Sequence, residues 1–248
     1  MTDYMPRTMS EKQALFLILP TREAFYGGAA GGGKSEALYL GALQYVDTPG
    51  YAALLLRRTY GDLSLPGALM DRARERLTPT DAKWDEKAHT WRFPSGATLT
   101  FGYLEHEADK FRYQGAEFQY IGFDELTQFS EAQYRYLSSR LRRLQGVNIP
   151  LRLRAASNPG DLGHDWVKQR FIVEQKTHHR PFIPARMSDN PYLDIEAYRE
   201  SLKILDPVTR AQLEQGDWEV RNAGSMFKRE WFTIGAVPAG MRQVRYWD

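Results

Sequence analysis

The chain has no cysteine among its 248 residues, which excludes disulfides and thiolate metal sites and fits a reducing compartment. It also has no long hydrophobic run: no apolar stretch approaches the ~20 residues that a membrane-spanning helix needs. Strong charge of either sign is missing, since the formal net charge is +2, so the chain as a whole is not a polycation. The opening residues Met1–Pro6 lack the basic and apolar regions of a secretory signal. There is no internal repeat and no low-complexity segment. What is there is ordinary for a globular protein: 42% hydrophobic and 26% charged residues, in a length that suits one large α/β domain or a domain with a small appendage.

Glycine, by contrast, is concentrated where it carries meaning. Residues Gly28-Ala29-Ala30-Gly31-Gly32-Gly33-Lys34-Ser35 read G-x-x-x-x-G-K-S, a phosphate-binding loop. The glycines let the backbone wrap a phosphate with its N–H groups turned inward. Lys34 is placed to reach the β- and γ-phosphates of a nucleoside triphosphate, and the Ser35 hydroxyl to hold Mg²⁺. The apolar run Ala24–Tyr26 before the loop suits a buried strand. Leu38, Ala42, Leu43 and Val46 after it recur at helical spacing, so the helix beginning at Lys34 and Glu36 points its positive end at the same anion. A flexible glycine linker would not end in Gly-Lys-Ser and open directly into an apolar helix.

A phosphate loop needs a partner acid on a nearby strand, and Tyr120-Ile121-Gly122-Phe123-Asp124-Glu125 supplies two. Asp124 is expected to hold Mg²⁺ through water, and Glu125 to orient and deprotonate the attacking water, which points to hydrolysis rather than transfer to a second substrate. After a further apolar strand come Ser157-Asn158-Pro159-Gly160. Asn158 or Ser157 is a candidate sensor of the γ-phosphate, against the plain reading of an Asn-Pro-Gly turn. Gln13 precedes the first strand, and a glutamine amide can read both edges of adenine. The arginines Arg135, Arg140, Arg142, Arg143, Arg152 and Arg154 crowd one stretch; on charge alone this is best read as a solvated helix face, with phosphates or a neighbouring subunit as the alternative.

The pattern predicts strands at Ala24–Tyr26, Ala52–Leu56, Thr98–Tyr103, Tyr120–Phe123 and Leu151–Ala156, and a hairpin over Trp91–Leu99 turning at Pro94-Ser95-Gly96. Helices are predicted at Lys34–Val46, Leu65–Leu77, Glu131–Leu144, Trp166–Glu174, Ile195–Leu205 and Pro207–Gln215. The fold class is α/β with a mostly parallel central sheet and an antiparallel addition. After Arg180, Pro181, Pro184 and Pro191 punctuate a loop that leads into a small helical subdomain, roughly 180–220.

In its ordered set of motifs the chain resembles the ATPase domain of the large terminase subunit of tailed bacteriophages. The carrying residues are Tyr26–Glu36, Leu56-Arg57-Arg58-Thr59-Tyr60, Tyr113-Gln114-Gly115-Ala116-Glu117-Phe118, Phe123-Asp124-Glu125-Leu126-Thr127 and Ser157-Asn158-Pro159-Gly160. Asp189-Asn190-Pro191-Tyr192-Leu193 and Gln215-Gly216-Asp217-Trp218 extend the likeness to a lid region, so that it covers nearly the full chain. The resemblance implies a P-loop NTPase of the ASCE type with a core at 1–180, a lid and linker at 181–225, and the start of an RNase H-like nuclease domain at 226–248. It implies an ATP- and Mg²⁺-dependent motor that packs double-stranded DNA into a procapsid, working in the host cytoplasm, off any membrane. Its expected partners are the portal protein, the small terminase subunit and other copies of itself in a ring, expected to be pentameric. It further implies an arginine offered to the neighbour's site: Arg112 first, with Arg140, Arg142 and Arg143 as alternatives and Arg112 in a structural ion pair as the plain reading. Arg58 is expected to contact nucleotide or DNA. Asp248 would be the first metal ligand of the nuclease, with no nuclease activity expected from this chain alone. Two other readings stand beside the motor: a helicase-like or recombination ATPase acting on DNA, and a non-catalytic nucleotide-binding assembly module. The second is disfavoured by the intact pair Lys34 and Glu125.

Overall fold

Strand β1 (Glu23–Gly28) is buried along all but its first residue, and it lies near one end of a single eight-stranded sheet. The other strands are β2 (Ala52–Arg57), β3 (Lys83–Asp85), β4 (Thr90–Arg92), β5 (Thr98–Tyr103), β6 (Tyr120–Asp124), β7 (Arg152–Ser157) and β8 (Phe182–Ala185). Their spatial order is β3-β4-β5-β2-β6-β7-β1-β8. From β5 to β8 all neighbours run parallel, while β4 pairs antiparallel with β5 and β3 with β4. The computed structural model describes residues 4–5, 8–143 and 148–220.

Parallel strands buried on both faces read as unbroken apolar runs, and the side chains then divide by twos between the two layers. On β2, Leu55 joins one core while Leu54 and Leu56 join the other. On β1, Ala24 and Tyr26 face the first core and Phe25 the second. The first core is filled by helix α2 (Lys34–Leu43), whose residues from Ala37 onward are all buried. A helix apolar all round must be covered on every side. Helix α1 (Glu11–Ile18) and helix α4 (Leu69–Leu77) supply the cover. Tyr120 Oη donates to the Leu38 carbonyl at 2.9 Å and Tyr51 Oη to the Ala42 carbonyl at 2.9 Å, so the tyrosines beneath α2 keep their hydroxyls bonded although buried. The second core lies under α5 (Glu131–Ser138) and α6 (His164–Lys168), with Phe25 stacked on Phe171 at 5.0 Å and edge-on to Trp218 at 5.6 Å.

The predicted strands are all present, and so is the hairpin. Three element readings are corrected. Predicted Leu65–Leu77 begins only at Leu69, as α4, because Pro66-Gly67 interrupts before it, and the short helix α3 (Tyr60–Ser64) ahead of it was not predicted. The helix predicted over Glu131–Leu144 ends at Ser138. Residues 140–142 then run beside Phe118, with Phe118 N–H donating to the Arg140 carbonyl and Arg142 N–H to the Phe118 carbonyl, so tertiary pairing overrides helical propensity there. Residue 144 lies outside the described residues. Residues 182–185, read as loop, form β8 and extend the main sheet beside β1; Pro184 is tolerated because β8 is an edge strand among the described residues. Helix α1 and the three-residue β3 are elements the sequence pattern missed. Beyond β8 the helices α7 (Ile195–Leu202) and α8 (Pro207–Arg210) are found, each begun by an aspartate cap, Asp194 and Asp206. Residues 226–248, including Asp248, lie outside the described residues.

Candidate nucleotide site

Because β1, β6 and β7 are parallel and adjacent, their C-terminal ends deliver three loops to one place. Gly28 closes β1 and starts the glycine loop, Asp124 closes β6 and Ser157 closes β7. Lys34, the first residue of α2, is 6% exposed. Its Nζ donates to the Ala29 carbonyl at 2.5 Å and to Asn158 Oδ1 at 2.7 Å. Burial lowers the lysine pKa, and the nearby carboxylates Glu125 and Asp124 work against that. The Ser35 hydroxyl donates to Asp124 Oδ1 at 2.9 Å. Asp124 is buried, and burial pushes its carboxyl up to about 6 against the pull of Arg57.

Glu125 sits in the left-handed region, at φ 55°, where a residue with a Cβ is uncommon. That turn carries its carboxylate across to β7: Ser157 Oγ–H donates to Glu125 Oε2 at 3.2 Å and Asn158 N–H to the same oxygen at 3.4 Å. Thr127 Oγ1 lies 2.7 Å from Ser157 Oγ, so a row of hydroxyls leads to the carboxylate. Asp161 is raised by burial and by the charge of Glu125. Glu125, Arg57, Asn158, Asp161 and Gln212 line an open cleft of about 450 Å³.

The expected residues of the phosphate side, Lys34, Ser35, Asp124, Glu125 and Asn158, are thus brought together. The glycine loop is braced from outside. Ala29 N–H donates to the Ala185 carbonyl at 3.0 Å and Ala30 N–H to the Leu213 carbonyl at 2.7 Å, while the Gly31 carbonyl accepts from Asn190 Nδ2 at 2.7 Å. The inward cradle therefore falls to Gly31, Gly32, Gly33 and the start of α2. Glu36 is held by Arg76 at 2.6 Å and Arg72 at 3.5 Å. Gln13 is committed at both ends of its amide: Oε1 accepts the Ser10 N–H at 2.9 Å and Nε2 donates to the Gly33 carbonyl at 3.0 Å. It braces the loop and caps α1, which leaves one N–H and one Oε1 lone pair for a base.

The arginines lie elsewhere. Arg112 pairs with Asp109 at 3.0 Å, stacks on Tyr103 and is about half exposed. The strand before it, β5, stands four places from β1, roughly 19 Å at the usual strand spacing. Arg140 lies over the Tyr136 ring, Arg142 pairs with Glu117 at 3.2 Å, and Arg143 donates to the Ile149 carbonyl. Arg58 donates to Gln133 Oε1 at 3.2 Å, away from the carboxylates. The residue that sequence reasoning missed is Arg57, which lies 3.5 Å from Asp124 and 3.8 Å from Glu125. Its available signal was a charged residue closing an apolar strand.

A family model described as terminase large subunit, T4likevirus-type, N-terminal, matches residues 25–234. Among curated proteins no match is found. Among solved structures the chain is similar to the large terminase of a thermophilic bacteriophage, with a TM-score of 0.71 at 17% identity over 94% of this chain and 60% of that one. The same thermophilic phage protein has also been solved in complex with ATP-γ-S. The bacteriophage HK97 large terminase gives 0.62 at 14% identity over 86% and 51%. The ATPase domain of the Thermus phage P74-26 large terminase gives 0.57 at 14% over 85% and 94%. At these identities the likeness is one of fold, and the chain spans 60% of the length of the thermophilic phage protein. With the family model covering most of its length, the chain belongs to the terminase large subunits of the T4likevirus type, through their N-terminal region.

Proposed function

We propose that the chain binds and hydrolyses ATP and that this drives double-stranded DNA into a procapsid. The observation that carries the reading is the convergence of Lys34, Ser35, Asp124, Glu125 and Asn158 on one end of three adjacent parallel strands. The large terminase of the thermophilic phage takes ATP-γ-S, which supports a nucleotide as the ligand here.

Lys34 and the loop amides hold the β- and γ-phosphates, and a lysine already desolvated gives its charge to them at little further cost. The fit to Mg²⁺ is good: Ser35 Oγ and Asp124 Oδ1 meet at 2.9 Å, giving one hydroxyl and one carboxylate. No cluster of three or more His, Cys, Asp or Glu side chains that could hold a metal occurs among the described residues. That suits a cation that keeps several waters and is shared with substrate phosphates. When bound, it would neutralise phosphate charge as a Lewis acid. Glu125, held toward β7 by Ser157 and Asn158, takes the proton from the attacking water, and Asn158 bridges that carboxylate's strand to Lys34. Arg112, exposed and remote from its own chain's loop, is offered to the neighbouring copy in a ring, where a guanidinium stabilises the charge spreading on the transferred phosphoryl group.

The wider setting follows from the family and is part of the same proposal: portal protein, small terminase subunit and a ring of copies as partners, in the host cytoplasm, with the region from 181 acting as lid and linker ahead of a nuclease domain. Among the described residues no helix is long and apolar enough to cross a membrane. The test is Mg²⁺-dependent ATP hydrolysis by the purified chain, lost in Glu125→Ala while ATP binding persists. Binding without any turnover in the wild type, alone and with DNA, would favour the assembly-module reading.

A further inference from the structure

Helix α6 begins four residues after Gly160, and its first side chain is bonded to two backbone groups from distant parts of the chain. His164 is buried, at 6% exposure. Its Nδ1 accepts the Gly160 N–H at 3.0 Å, so the ring hydrogen sits on Nε2 and is donated to the Trp218 carbonyl at 3.1 Å. Gly160 belongs to the turn in which Asn158 holds Lys34 Nζ, whereas Trp218 lies beyond the helices that follow β8. The imidazole packs against the Trp218 indole at 5.3 Å, and that indole stands edge-on to Phe25 of β1. Two further contacts fasten the same segment. Lys168 of α6 pairs with Glu219 at 2.6 Å, and Gln212 Nε2 donates to the Val220 carbonyl at 3.0 Å. Gly163 N–H donates to the Thr127 carbonyl at 2.7 Å, which sets the start of α6 against the turn behind Glu125. Trp218 Nε1 is buried with no hydrogen-bond partner, a cost that weighs against this seat for the indole.

We propose that His164 is a positioning residue: it holds the Asn158–Gly160 turn in the shape that serves the γ-phosphate and, through the same ring, reports the state of that turn to residues 217–220. The inference rests on the reading of the glycine loop and Asn158 as a triphosphate site. A phosphate drawn to Lys34 competes with Asn158 Oδ1 for the ammonium, so the turn adjusts when the site fills. Gly160 moves with the turn, and a rigid ring bonded at both edges passes that displacement to the Trp218 carbonyl. The element with two arrangements is the indole of Trp218. It is seated here with its N–H unpaired, and a shift of His164 releases it to a position where that N–H finds a partner.

The test uses the full chain and two substitutions that divide the imidazole. In His164→Asn the amide Oδ1 stands where Nδ1 stood and keeps the bond from Gly160. In His164→Gln the amide Nε2 stands where the ring Nε2 stood and keeps the bond to Trp218. Mg²⁺-ATP turnover and ATP affinity are measured for each. Tryptophan fluorescence is read as the difference between chains with Trp218 and the same chains bearing Trp218→Phe. His164→Asn should keep kcat within about threefold of the wild type. His164→Gln should lower kcat roughly tenfold with ATP affinity unchanged, as for the loss of one buried hydrogen bond. Saturating ATP should change the Trp218 signal in the wild type and in neither variant. Equal kcat in the two variants, both normal or both reduced, overturns the positioning role, since a histidine that only fills space is harmed alike by both. A Trp218 signal that ATP leaves unchanged in the wild type, or still changes in His164→Asn, overturns the link to residues 217–220. The wild-type arm decides that link even where a variant at 164 does not fold. A wild-type chain that binds no ATP overturns the triphosphate site itself, a separate failure.

Discussion

Arg57 places one guanidinium against two consecutive carboxylates, with Nε 3.5 Å from Asp124 Oδ2 and Nη1 3.8 Å from Glu125 Oε1. Among the influences on Asp124, burial raises its pKa and Arg57 is the strongest one lowering it. Removing the cation should therefore push the Asp124 carboxyl further up, and the acid limb of the ATPase rate against pH should move to higher pH in Arg57→Ala. Arg57→Lys keeps a charge on a shorter reach and should restore part of the shift. An acid limb that stays in place in Arg57→Ala would confine Arg57 to packing.

Glu125 pairs with Arg57 through one oxygen, while its Oε2 is held by Ser157 and Asn158. Glu125→Gln preserves the shape and those donors but removes the base. Turnover should fall on the order of 10²–10⁴-fold with ATP affinity retained. Steady-state hydrolysis and equilibrium binding on the same sample decide it, and a near-normal rate would take Glu125 out of water activation.

Arg112 is paired locally, with Asp109, and lies toward the far side of the sheet from the glycine loop. If it serves a neighbour, Arg112→Ala should leave ATP binding to the monomer nearly intact and abolish turnover. A mixture of Arg112→Ala with Glu125→Ala should then recover activity, because some interfaces combine an intact base with an intact arginine. The wild-type rate per subunit should also rise with protein concentration. A flat rate and no rescue would return Arg112 to a structural ion pair and pass the question to Arg140, which lies over the Tyr136 ring.

The phosphate side of the site was legible in the sequence because each part is local: the loop, the Asp-Glu strand end and the Asn158 turn are each contiguous motifs joined to an apolar run. Parallel strand order then forces their ends together. Arg57 was not legible, since consecutive residues at a strand end point opposite ways and nothing in Leu56-Arg57-Arg58 says which arginine turns to the carboxylates. Arg57 turns to them, and Arg58 turns to Gln133. Gln13 was visible as a glutamine but not as a brace of the loop, because its partner Gly33 is twenty residues away. Strand β8 was hidden by Pro184, whose lack of an N–H matters only if a further strand lies beyond it.

Gly216 closes the helical turn Ala211–Gln215 in the left-handed conformation, at φ 68°, and a Cβ there would fall 2.4 Å from the Ala29 nitrogen. Next to it the Leu213 carbonyl receives the Ala30 N–H, so the segment after α8 lies directly on the back of the phosphate loop. Gly216→Ala adds two costs: about 1 kcal/mol for the backbone conformation, and a clash with backbone atoms that cannot swing aside. Gly96, at φ 87° in the β4–β5 turn, has the same handedness with nothing within 4 Å of its added Cβ, so Gly96→Ala carries the first cost alone. Chemical unfolding should therefore show Gly216→Ala destabilised by about 1–2 kcal/mol more than Gly96→Ala. Only Gly216→Ala should also loosen ATP, because its clash is relieved by displacing Gly28 and Ala29. Equal losses of stability with unchanged ATP affinity in both variants would mean that the segment rests on the loop without setting its shape, and that any lid motion is coupled to nucleotide elsewhere.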